Sequence, residues 1–465
     1  MGLADNPTLV NILSNLPEVK GPIQKVLSFK QKLKWTLIVL VLYFLLGVIP
    51  LYGLGENSLE QFDFLSIILG AQFGSLISLG IGPIVTASIV LQLLNGSGLL
   101  KFDTSSHEGR VVFQGVQKLL AIFFIVFEAI IFVFMGGLSP APGFTPGVLI
   151  FQLMLGGIMI LFMDEVINKW GFGSGVSLFI AAGVSAQIFI GIFSPLTTTG
   201  QIAFGSGQAP VGRIFVFFSS ILAGRPDESI LAFSAIAATV GVFLISVYAQ
   251  AMKVEIPLSF GRIRGYGIRW PLRFMYTSNI PVILVAALLA NLQLWARLLQ
   301  NWGHPILGSF SGNTPISGVV FWVFPPNLVQ NILTGIFTSQ EIIQALIYAS
   351  FMIVGSVIFS VFWVQTAGMD ARSQAKQIMD SGLQIPGFRR DERVLERILN
   401  RYIFPLTIMG GITVGLLASL ADLSGALSRG TGILLTVMII YKLYEEIAQQ
   451  HMMDMHPSLR KMMGK

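Results

Sequence analysis

From Phe64 to Leu100 the chain runs for 37 residues without a charge. A straight membrane span needs about 20 apolar residues, so this segment is too long for one simple crossing. Gly80-Ile81-Gly82-Pro83 lies in its middle, where proline removes a backbone donor and clashes with the preceding turn. The expected outcome is a partial helix from Phe64 to about Leu79 and a second helix from Pro83 to Leu94. Broken helices at membrane depth persist only against other protein or a water-filled cavity. The segment therefore points to an enclosed pathway.

The rest of the chain supports a membrane protein. It is 54% hydrophobic and 11% charged, with a mean hydropathy of +0.76, where a soluble chain carries about a quarter charged residues. Residues 1–30 hold Pro7, Pro17 and Pro22 and no continuous apolar core, so no secretory signal is expected there. Cysteine is absent, which excludes disulfides and thiolate metal sites. Ten spans are read at 33–52, 64–95 (the broken one), 111–137, 146–168, 174–193, 230–252, 275–297, 341–364, 402–421 and 432–448. With the N-terminus cytoplasmic, all 29 basic residues fall on the inner side except Arg213, Arg225, Arg297 and Arg429. That bias sets the orientation and checks the span count. Five spans precede the 194–229 loop and five follow it, so two similar halves would be inverted with respect to each other.

Chemistry is scarce. There is no phosphate-binding glycine loop ending in Gly-Lys-Ser/Thr, no His-Glu-x-x-His helix and no serine elbow, so no enzyme, metal site or cofactor is expected. His451 and His456 beside Asp454 read as a solvated amphipathic end. Glu128, deep in the third span, is more telling, because a carboxylate there marks a site or a hydrogen bond to a neighbouring helix. Asn291, Thr86 and Gln92 are further buried polar candidates. No run of alternating charges crosses the bilayer, so the candidate pore is apolar or merely polar, and an apolar constriction blocks ions by dewetting. The inner segments 253–273 and 365–401 concentrate basic residues, as a large charged partner containing RNA would favour.

Ser78-Leu79-Gly80-Ile81-Gly82-Pro83-Ile84-Val85-Thr86-Ala87, continuing through Leu91-Gln92-Leu93-Leu94 to Gly96-Ser97-Gly98, resembles the second-span motif of the SecY family, its archaeal and eukaryotic branch above all. That family forms the channel subunit of the Sec translocon. Five further segments agree in order: Gly173–Ile180, Val254–Pro257, Ser278–Leu284, Gly387–Arg389 and Gly430–Val437. The resemblance covers nearly the whole chain.

It implies an all-α polytopic protein of ten spans in two inverted halves, working as a passive protein-conducting channel with a lateral gate. By position it implies a pore ring of Ile81, Val85, Val176, Ile180, Ile283 and Leu435. It implies a plug at about 64–76, carrying Phe64, Leu65, Ile67, Ile68, Leu69, Gly70, Phe73, Gly74 and Leu76. Thr86, Glu128 and Asn291 match a polar cluster at the gate, and Arg262, Arg264 and Arg389 match a cytoplasmic docking surface for the ribosome. The implied partners are two small membrane subunits, SecE (gamma) and Sec beta, with signal sequences and nascent chains as cargo.

The expected organisation is an amphipathic cytoplasmic segment 1–32, which by the resemblance would lie as a helix up to Lys30, an N-terminal half 33–193, an external loop 194–229, a C-terminal half 230–448 with cytoplasmic loops 253–273 and 365–401, and a cytoplasmic tail 449–465. The setting is the plasma membrane, with both termini inside. The alternative is an inverted-repeat secondary transporter with Glu128 as its ion site.

Overall fold

Long apolar runs find no hydrogen-bond partners in lipid and must satisfy their backbone internally, which helices do. The computed structural model describes residues 15–23, 27–59, 69–96, 99–100, 102, 107–197, 201–203, 209–260, 267–277, 280–312, 314–380, 383–384, 391–428 and 430–455. In chain order the elements begin with α1 (Phe29–Val48), β1 (Leu54–Asn57), α2 (Gly82–Gly96), α3 (His107–Phe134), β2 (Leu138–Pro140), α4 (Pro146–Trp170) and α5 (Gly175–Phe193). Then come α6 (Arg213–Leu222), α7 (Pro226–Ala251), β3 (Lys253–Phe260), β4 (Gly267–Arg273) and α8 (Ile280–Asn301). The short pieces β5 (Phe310–Ser311), β6 (Thr314–Pro315), α9 (Val319–Trp322) and α10 (Leu328–Leu333) follow. Last are α11 (Ser339–Thr366), α12 (Ala371–Asp380), β7 (Leu383–Gln384), α13 (Glu392–Leu423) and α14 (Gly430–Met455).

Among the described residues, eight helices are long and apolar enough to cross a bilayer: α1, α3, α4, α5, α7, α8, α11 and α13. The other two expected spans are α2 and α14. The first is only 15 residues long, and Lys442, Glu445 and Glu446 dilute the apolar window of the second. One apolar core joins both halves of the chain. Among the spans, α8 is the most enclosed and α7 the least. On α13, Gly411 and Gly415 let α11 approach closely; a Cβ on Gly415 would lie 2.7 Å from the Ile353 Cα. Small residues serve close helix packing in lipid in this way.

Three expectations are corrected. The plug segment is not helical where it is described: Leu69 to Ile81 is a series of turns. Gly70, Gly74 and Gly80 hold φ of 51°, 94° and 56°, and the Ser78 hydroxyl accepts the Gly74 N–H at 2.9 Å. Left-handed glycines and side-chain bonds to nearby backbone both compete with helix. The N-terminal segment is not helical over residues 15–23 either, in keeping with Pro17, Gly21 and Pro22. It is strapped to α4, with the Val19 N–H on Glu165 at 2.9 Å and Trp170 Nε1 on the Lys20 carbonyl at 2.9 Å. Finally, the basic segment 253–273 is a hairpin, with β3 and β4 paired antiparallel from Lys253↔Arg273 to Ser259↔Gly267. Its base joins a second small core that includes Leu272, Tyr276, Ala375, Leu399 and Ile403.

Candidate functional site

The six residues expected to form the ring lie on or next to four helices. Ile81 immediately precedes α2 and Val85 stands in its first turn, with Val176 and Ile180 at the start of α5, Ile283 on α8 and Leu435 on α14. All are apolar and all belong to the joint core; five are buried, and Val176 is partly covered. The i,i+4 spacing within α5 puts Val176 and Ile180 on one face. Two cavities flank this level. One of about 480 Å³ is lined by Val85, Val176 and Ile283 together with the polar Gln92, Gln117 and Asn168. The other, of about 710 Å³, is lined by Ala71 to Ser75, Asn57 and Gln187. Both touch α5, the first from Val176 to Leu178 and the second from Gly183 onward. At about 1.5 Å of rise per residue Leu178 and Gly183 lie roughly 7 Å apart along the helix, with the fully buried Ile180 between them. The arrangement is two wells separated by an apolar floor.

The break before α2 docks on that floor. The Ile81 N–H donates to the Leu69 carbonyl at 2.6 Å. A Cβ on Gly70 would meet Phe179 and Ile81 side chains at 3.5 and 3.6 Å, and one on Gly80 would sit 2.2 Å from the Leu69 oxygen. Only glycine fits at position 80, on both φ and space. Of the other expected plug residues, Phe73 faces Phe132 with rings 6.5 Å apart, and Leu76 packs on the core. Phe64, Leu65, Ile67 and Ile68 lie outside the described residues, as do Arg262, Arg264 and Arg389.

Thr86, Glu128 and Asn291 do come together, from α2, α3 and α8. The Asn291 amide donates to Thr86 Oγ1 at 2.9 Å. That hydroxyl lies 2.8 Å from the Gly82 carbonyl and 3.4 Å from Glu128 Oε1. Glu128 is 3% exposed, and the Asn291 Oδ1 is buried with no protein partner. The same seam between α3 and α8 is closed by Phe127 against Trp295, centroids 5.7 Å apart, and by Asn301 Nδ2 on the Gly136 carbonyl at 3.4 Å. Among the described residues few polar contacts hold it, so parting the seam breaks few hydrogen bonds. Gln92 is not part of this cluster; it is buried further along α2, beside the first cavity.

Two aspartates escaped the sequence reading, the partly buried Asp164 and the buried Asp422. Each stands near the end of an apolar run, where a charge is unremarkable by hydropathy, and only the folded chain reveals what each one bonds.

A profile of the SecY family matches residues 75–444, and one described as the plug domain of Sec61p matches residues 41–74. The chain is 49% identical over 458 residues to a protein translocase subunit SecY of Methanothermobacter thermautotrophicus, covering 97% of this chain and 98% of that one. Among solved structures, one described as a protein conducting channel is similar at 42% identity and TM-score 0.82, over 97% of this chain and 99% of that one. Sec61 in the canine ribosome-channel complex from the endoplasmic reticulum is similar at 42% identity and TM-score 0.79, over 97% and 99%.

Proposed function

This chain belongs to the SecY family of protein translocase subunits, and from that premise we propose how its residues conduct a polypeptide. The observation that carries the reading is the pair of wells separated by an apolar floor, with a lightly bonded seam at the side. An extended chain would pass between Ile81, Val85, Val176, Ile180, Ile283 and Leu435. These side chains offer no hydrogen bonds or charges to hold cargo, and at rest they exclude ions by dewetting. The segment around Leu69 to Leu76 would move off the floor to admit it. An apolar cargo segment would leave into lipid between α2/α3 and α8/α11, where the Thr86–Asn291–Glu128 contacts must break.

The division of the chain into inverted halves, 33–193 and 230–448, fits this use, because the floor lies where they meet. The basic residues cluster in 253–273 and 365–401, which we read as the cytoplasmic docking face, with Arg262, Arg264 and Arg389 on it. The similarity to a Sec61 chain in a ribosome complex supports a ribosome as the partner there. The exposed apolar faces of α1 and α7 suit small membrane subunits of the SecE and Sec beta kind. Both termini would be cytoplasmic in the plasma membrane, and the channel itself would be passive, with its driving force supplied by the partner.

The test is photo-crosslinking from probes at Ile81, Ile283 and Thr86 in membranes carrying a stalled secretory chain. Capture at the first two positions is expected during passage, and at Thr86 while the signal segment is engaged. Ongoing transport with no capture at any of the three would defeat the reading.

A further inference from the structure

Each half of the chain carries one aspartate, Asp164 partly buried beside the first cavity and Asp422 buried, that neither the floor nor the seam accounts for, and the two occupy matching places. Asp164, on α4, accepts the Val176 N–H at 2.9 Å through Oδ1. Asp422, in the last turn of α13, accepts the Thr431 N–H at 2.8 Å through Oδ1. Its Oδ2 receives the hydroxyls of Thr431 and Tyr348. Val176 and Thr431 are each the second residue of a helix, α5 and α14. Four residues beyond each stands a floor residue, Ile180 and Leu435, which are 1% and 0% exposed.

The glycine at the head of each helix completes the match. A Cβ on Gly175 would lie 2.6 Å from the Asp164 Cα, and one on Gly430 would lie 2.0 Å from the Ala421 carbonyl carbon. Each helix therefore starts pressed against the backbone of the helix that caps it. The helices α5 and α14 run antiparallel, since Gly173 is nearest Glu446 at one end and Gly191 is nearest Leu427 at the other. The two aspartates hold opposite ends of the pair.

We propose that Asp164 and Asp422 are positioning residues that fix the axial height of α5 and α14, and through it the closure of the constriction. Helix caps are usually local, made by the residue just before the helix. Here Ser174 makes no side-chain cap on α5, and the acceptor comes from the neighbouring helix, so the cap is a tertiary tie. An ionised carboxylate can only accept hydrogen bonds, and Asp422 accepts three from two helices. Through Tyr348 it also reaches α11, which packs against α2 at the side of the seam. Parting the seam thus pulls on the same carboxylate that places Leu435. The inference rests on the channel reading above.

The experiment measures resting ion conductance of the full-length protein in planar bilayers, alongside thermal stability. Asp164→Asn and Asp422→Asn, which keep one acceptor oxygen but remove its charge, should each raise conductance roughly ten-fold, the difference between a hydrogen bond to a charged acceptor and one to a neutral acceptor. Tyr348→Phe should raise it less, and should add little on top of Asp422→Asn, because the two act through one carboxylate. Thiol labelling of Leu435→Cys and Ile180→Cys should speed up in the same backgrounds; the chain has no cysteine of its own. Thr277→Val, which removes a buried hydroxyl contact of 3.2 Å to Ser360, should lower stability without added conductance. Ile283→Gly should leak.

Leak from Ile283→Gly with none from Asp422→Asn, Asp164→Asn or Tyr348→Phe overturns the clamp and leaves the channel reading standing. Equal leak from Thr277→Val reduces the aspartates to ordinary packing and also overturns it. A tight Ile283→Gly variant removes the channel reading and the clamp together. If an aspartate variant does not fold, Tyr348→Phe carries the test alone.

Discussion

A threonine hydroxyl at the seam serves three groups with one proton and two lone pairs, so what replaces it matters more than that it is replaced. Thr86→Val keeps the shape but leaves the Asn291 amide and Glu128 buried without their partner. An orphaned buried polar group costs about 1–3 kcal/mol, and that cost falls on the closed state. We expect Thr86→Val to favour opening, read as faster transport of a cargo with a shortened apolar signal. Replacing Thr86, Glu128 and Asn291 together by apolar residues leaves no orphan and should favour closure; the same direction in both variants would refute the account. At the N-terminal strap, Glu18 pairs with Lys169, whose hydrogen bond holds the carboxyl below its ordinary 4.5. A lowered folded pKa means the contribution is present above about pH 4.5 and is lost as pH falls through the folded value. Protease protection of residues 15–20 should fade below that pH in the native chain and be pH-independent in Glu18→Gln. Glu128 and Asn291 were legible because a polar residue inside an apolar run is conspicuous. Asp164 and Asp422 were not, because hydropathy is blind to partners.

At the scale of elements, the break at Gly80–Pro83 was readable from two facts, a run too long to cross and a proline inside it. What sequence could not give was the form of the piece before the break. The uncharged length suggested a helix, but turns won over the described part because three glycines take left-handed φ and two serines bond the nearby backbone. The hairpin β3–β4 reads as a loop by its basic residues and glycines, although Val254, Ile256 and Leu258 alternate, which is a strand signal. Gly80→Ala tests the element. A methyl group there meets the Leu69 carbonyl at a forbidden distance and at a φ that disfavours it, a strain of about 1–3 kcal/mol. Protease should cut near Phe73 faster and resting conductance should rise; an unchanged cleavage rate would mean that the contact with the floor is weak.

For the whole molecule, the decisive interface is the one between the halves. Linking them should stop transport without harming the fold. With no native cysteine, Phe127→Cys and Trp295→Cys can be joined by a short bismaleimide across their 5.7 Å ring contact. Transport is expected to cease on linking and to persist when either cysteine is alone; continued passage through linked protein would place the exit elsewhere. The floor also has an order of manufacture. Its first residue, Ile81, emerges in synthesis long before its last, Leu435, and contacts that distant in sequence form late. Until α14 arrives, α5 lacks its antiparallel neighbour and Ile180 faces an unfilled side. A chain cut short before Gly430 is therefore a membrane protein with a hole in it, and a cell that makes one has a reason to destroy it quickly.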